Sequence, residues 1–154
     1  MKSILLSLLI ISLVMVPSVN AEEKATKEEC VAKCEAAAKV LKESGREAAL
    51  QQVADPNGPF VWKDSYIFCI DKDSNAVIAH PITPKLVGKK LTGVKDKNGK
   101  LFFLEFLNVA KEQGKGWVSY MWPKPGEKEP SPKISYVYLP EGESVIFIAG
   151  IYED

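Results

Sequence analysis

One histidine, three cysteines and a dense set of aromatic residues are the side chains of this 154-residue sequence with chemistry to offer. His80 closes the apolar string Ala76-Val-Ile-Ala-His-Pro81. A nucleophile needs a base within hydrogen-bond reach, and no Gly-x-Ser-x-Gly elbow accompanies the lone imidazole. Two roles stand open for it: a buried, hydrogen-bonded strand-end residue, or a donor to a bound anion. Asp71-Lys-Asp-Ser-Asn75 imitates the opening of a calcium loop, but Ala76 and Ile82 occupy the positions that require glycine and glutamate. It reads as a hairpin turn, and no metal site, cofactor motif or activated nucleophile emerges; the chain is not expected to be an enzyme.

Trp117, Tyr120, Trp122, Tyr136 and Tyr138 cluster in the last third of the chain. Such residues give a pocket an apolar wall with one polar handle each, though a strand must also spend one face on the core. Tyr120 and Trp122 share a strand face. Lys133, between a proline-rich loop and an apolar run, is either a solvated lysine or a cation for a carboxylate ligand. On an ideal strand Lys133 and Tyr136 point to opposite faces, so one pocket holds both only if the strand bulges.

Cys30 and Cys34 lie one helical turn apart, with Cβ atoms about 5–6 Å from each other, too far for an undistorted disulfide. A bridge to Cys69 from either, Cys34–Cys69 foremost, and three buried thiols acting as small apolar fillers are both compatible with the sequence.

The positioning elements follow from periodicity. Lys2, the apolar run Ile4–Val16 and the small-residue site Val19-Asn-Ala21 form an export leader over residues 1–21, which places the mature chain in the periplasm or outside the cell. Of 20 basic and 20 acidic residues the leader removes one, Lys2, leaving 19 against 20 and no field to attract nucleic acid. Helical spacing of Cys30, Cys34, Ala37 and Leu41 predicts a helix over 22–44; Gly45 stops it and a short helix follows to Ala54. Tyr66–Asp71 and Ala76–His80 form a hairpin, Pro81–Val94 a covering loop, and Lys100–Gln113 a second helix. Strands at 116–122, 133–139 and 145–152 complete an α+β domain: a five-stranded antiparallel sheet with its helices on one side.

The order of these strings, with Pro132-Lys-Ile-Ser-Tyr-Val137 and Ile148-Ala-Gly-Ile-Tyr152 at the end, resembles a single Cache domain of the second type. That resemblance implies a PAS-like extracytoplasmic sensor over 22–154, with leading helices at 22–54 and the sheet and lid at 60–154. It implies non-catalytic binding of a small metabolite, a short organic acid first, with His80, Tyr120, Trp122, Lys133 and Tyr136 lining the pocket. No kinase or methyl-accepting region follows Asp154, so a separate membrane-bound kinase or chemoreceptor is the expected reader of the signal. The alternative is an interaction module that binds no ligand and that dimerises or docks through its leading helix.

Overall fold

The computed structural model describes residues 23–153; the leader expected at 1–21 lies outside them. Helix α1 (Lys27–Ala54) starts on a capping box: Thr26 Oγ1 accepts from the Glu29 amide at 3.2 Å, and the Glu29 carboxylate accepts from the Thr26 amide at 2.9 Å. Gly45, at φ 85° and ψ 171°, leaves the helical region and kinks α1 where the sequence places a stop. The next residue, Arg46, ties the kink to the sheet by donating to Asp71 at 2.8 Å and to Ser144 at 2.7 Å.

Six strands follow: β1 (Val61–Trp62), β2 (Ser65–Asp71), β3 (Val77–Ala79), β4 (Lys115–Pro123), β5 (Pro130–Tyr138) and β6 (Val145–Tyr152). All pairings are antiparallel in the order β1-β2-β6-β5-β4, with β3 also on β2. The sixth strand is the short β1. It turns back through Lys63, a non-glycine residue at φ 48°, so neither length nor a glycine signals it. Prolines 130 and 132 are tolerated inside β5 because β6 ends opposite Lys133; beyond that point β5 has only β4 beside it.

The helices lie on both faces of the sheet, not on one. Residues of β2 alternate: Ile67 and Cys69 pack with α1, whereas Tyr66, Phe68 and Ile70 pack with α2 (Phe102–Gln113). The α1 face holds Cys30, Cys34 and Cys69 as free, fully buried thiols, the filler state among the alternatives the sequence leaves. Burial pushes Cys30 up to about 11 and also raises Cys34 and Cys69 well above the ordinary thiol range, so none is a nucleophile at neutral pH.

Residues 81–101 form a strap over the α2 face. Around a 3-10 turn (Pro84–Leu86), it bonds to β3 through Gly88 N–H to Val77 C=O at 2.8 Å and Val77 N–H to Lys89 C=O at 3.0 Å. At its far end the Asp96 carboxylate accepts from the Met121 amide at 2.9 Å on β4, the opposite edge of the sheet. The strap therefore spans the face from edge to edge.

Candidate ligand-binding site

Strand register determines which side chains meet under the strap. Tyr120 is opposite Lys133, Lys133 opposite Tyr152, and Ser135 opposite Gly150. Lys133 is almost fully buried (1% exposed), and its ammonium lies 4.3 Å from the Tyr66 ring centroid and 4.7 Å from that of Tyr152. It donates to the Tyr152 hydroxyl at 3.2 Å, and that hydroxyl donates to the Pro123 carbonyl at 2.7 Å. The Tyr120 hydroxyl bonds Ser135 Oγ at 3.1 Å, and its ring stacks on Phe102 at 4.9 Å. Gly150 makes the room: a Cβ there would fall 2.9 Å from Lys133 Cε and closer still to Ser135 Oγ.

Among the described residues no carboxylate pairs with this ammonium. Burial pulls the Lys133 amine toward neutrality, but the oxygens of Tyr120, Tyr66 and Tyr152 outweigh it and hold the group above the ordinary lysine range. The result is a buried cation solvated by phenols and ring faces, with its counter-charge missing.

His80 is buried and turned inward. Its ring stacks on Phe68 at 5.3 Å and leans on Tyr66 at 5.1 Å. The Thr83 amide donates to Nδ1 at 3.0 Å, which makes Nε2–H the ring's donor. Burial, assisted by the Lys133 charge, pushes the imidazole down to about 3, so it is neutral at physiological pH.

His80, Tyr120 and Trp122 surround a small hollow with Phe68, Phe102 and Leu86. At about 20 Å³ it holds little more than one water. Beside it opens a cleft of about 550 Å³ between the 3-10 turn and the loop after β4, and Leu86 and Trp122 border both spaces.

Four of the five expected residues thus gather on one face. Tyr136 does not. β5 runs unbulged through Lys133–Tyr138, so strand alternation sends Tyr136 to the α1 face, where it packs on Trp117 at 5.2 Å within the cysteine-bearing core. Sequence reasoning missed Tyr66, Ser135, Gly150 and Tyr152. Their phase relative to Lys133 exists only in the cross-strand register, although the alternation Ile148/Gly150/Tyr152 is visible once β6 is drawn. The calcium-like turn is a closed hairpin end: Asp71 accepts from Ser74 N–H at 2.7 Å and from Arg46.

An antiparallel sheet with the leading helix on one face and a strap and second helix on the other is a PAS-like α+β architecture. The Cache domain family model matches residues 24–154, and the chain belongs to that family of extracytoplasmic sensor domains. It is 36% identical over 109 residues to the methyl-accepting chemotaxis protein McpP of Pseudomonas putida; the match covers 71% of this chain and 20% of that receptor. Two solved structures share the fold. A Cache chemosensory domain described for its carboxylic acid recognition is 30% identical with a TM-score of 0.72, over 83% of this chain and 93% of that one. A periplasmic sensor domain of a chemotaxis protein is 31% identical with a TM-score of 0.67, over 82% and 90%. Among the described residues no helix is long and apolar enough to cross a membrane.

Proposed function

We propose that this domain binds a short carboxylate beneath the strap, outside the cytoplasm, and reports its presence to a membrane-bound chemoreceptor or kinase. The observation that carries this reading is the buried Lys133 ammonium with no carboxylate beside it among the described residues. Phenol oxygens and ring faces hold this cation without neutralising it, and a ligand carboxylate supplies the missing counter-charge through a charge-assisted hydrogen bond. The neutral imidazole of His80 and the hydroxyl of Tyr120 add donors, while Phe102 and Trp122 give the acid's carbon chain an apolar wall. The carboxylic acid recognition of a structural relative at 30% identity supports the same ligand class.

Lys133 borders neither the hollow nor the cleft, and the hollow is too small for an acid as it stands, so binding moves the strap or Trp122 outward and opens the space toward the ammonium. Because the strap is bonded to β3 at Val77 and to β4 at Met121, occupancy biases both sheet edges, and the two strap positions are the states a partner distinguishes. Titration calorimetry of residues 22–154 against monocarboxylates from acetate to butyrate tests this. Saturable binding that Lys133→Met weakens about 30- to 150-fold is expected; flat responses from a folded sample overturn it.

A further inference from the structure

The cleft beside the hollow carries features that the carboxylate reading does not use. Two cations, Lys85 on the 3-10 turn and Lys124 on the loop after β4, line it, and Glu127 is the sole acid among its lining residues. The strap behind Lys85 adds Lys89, Lys90 and Lys95 without an acid between residues 81 and 95. The inner wall of the cleft is Tyr66, whose ring also carries the Lys133 ammonium at 4.3 Å. The Tyr152 ring completes the link: Lys124 Nζ stands 6.0 Å from its centroid and Lys133 Nζ 4.7 Å.

We propose that this cleft is an anion-capture antechamber: Lys85 and Lys124 draw a carboxylate in, and Leu86 and Trp122, which border both spaces, are the door to the hollow. The proposal rests on the carboxylate reading above and adds the route and the residues that set its rate. A cleft in which one sign of charge predominates, here two cations against Glu127, between low-dielectric walls raises local counter-ion concentration and association rate, with a dependence on ionic strength. Here the walls are Trp122, Tyr66 and prolines 84, 123 and 125. Such cations act on arrival and leave the departure rate alone.

Two measurements test it. First, stopped-flow tryptophan fluorescence with propionate gives association and dissociation rates for wild type, Lys85→Gln/Lys124→Gln and Glu127→Gln. The double variant is expected to associate about three- to tenfold more slowly at low salt with dissociation unchanged, and Glu127→Gln about twofold faster. An unchanged association rate, or a loss confined to dissociation, overturns the antechamber while leaving the carboxylate reading standing. No propionate response from folded wild type overturns both. Second, iodide and acrylamide quenching needs no ligand. Trp62 and Trp117 lie on the α1 face and keep their surroundings in the double variant, so a change reports on Trp122. Iodide quenching is expected to fall about twofold with acrylamide quenching constant; equal iodide quenching in both proteins counts against the capture cations.

Discussion

The Tyr152 hydroxyl receives the Lys133 ammonium at 3.2 Å and gives its own proton to the Pro123 carbonyl at 2.7 Å. This chain links the buried charge of β5 to the end of β6 and to the last residue of β4. It stabilises the cation without neutralising it. The phenol oxygens offset the burial of the charge, and a ligand carboxylate adds the counter-charge that the folded site lacks, so stability and binding draw on Lys133 through different interactions.

Lys133→Met separates the two. The substitution keeps the stem and removes the charge, so thermal stability is expected to stay level or rise. Carboxylate affinity is expected to fall by about 2–3 kcal/mol, roughly 30- to 150-fold. Differential scanning fluorimetry and calorimetry on one preparation read both. A large drop in melting temperature would show that the ammonium is a structural asset and would remove the argument for a missing counter-charge.

Gly150→Ala tests the packing that admits Lys133. The new methyl meets the Ile134 carbonyl oxygen at 2.7 Å and Lys133 Cε at 2.9 Å, contacts that backbone cannot relieve cheaply. A loss of about 1–3 kcal/mol in chemical denaturation is expected, the usual cost of overpacking. Gly93→Ala is the control: nothing lies within 4 Å and its backbone is in an ordinary region, so a change within about 0.5 kcal/mol is expected.

Local signals made most of the elements legible, while the site needed register. The capped start and the Gly45 break of α1 rest on neighbours in sequence, as does the Gly114 stop of α2, where the left-handed φ of 76° favours glycine. Tyr136 shows the limit. Its chemistry suits a pocket, but strand parity puts it with Trp117 behind the sheet while Lys133 faces the strap. The conflict was readable from the odd spacing of the two residues; its resolution required knowing that β5 carries no bulge. Tyr66 and Tyr152 were beyond reach, because they meet Lys133 from strands 67 and 19 positions away in the chain. The placement of α1 and α2 on opposite faces was likewise invisible, since β2 is buried along its whole length and shows no polar alternation to mark one face as wet.

His80 makes stability pH-dependent in a defined window. The unfolded imidazole takes up a proton near pH 6.5, whereas burial, reinforced by Lys133, keeps the folded one neutral down to about pH 3. The unfolded state binds more protons between those values, so stability is complete above pH 6.5 and declines as pH falls toward 3, by at most about 1.4 kcal/mol per unit. Asp71 enters only at the acid end of that window. Burial pushes its carboxyl up, but the Ser74 amide and the Arg46 guanidinium outweigh this and hold it well below the carboxylate range, so its share is lost only below about pH 4. Urea denaturation of His80→Gln is expected to flatten the profile between pH 6.5 and 4.5. A variant whose slope there equals that of wild type would place the titrating group elsewhere.

Asp96 is the latch of the strap. One carboxylate oxygen accepts from the Asn98 and Lys100 amides, each at 2.9 Å, and the other from Met121 on the exposed edge of β4. A free edge amide is thereby covered, and among the described residues the strap has one further side-chain anchor on that edge, Lys100, which donates to the Ser119 carbonyl. Asp96→Ala leaves Met121 N–H and two turn amides to water while the core beneath stays apolar and packed. The expected cost is about 1–2 kcal/mol globally. Hydrogen exchange should show a larger local effect: faster exchange at Met121, with the Val77 amide, held by Lys89 at the other end of the strap, moving with it if the strap opens as one unit. Exchange that rises at Met121 while Val77 stays protected would mean that the strap hinges in its middle, and the opposite sheet edge would then receive no signal from it.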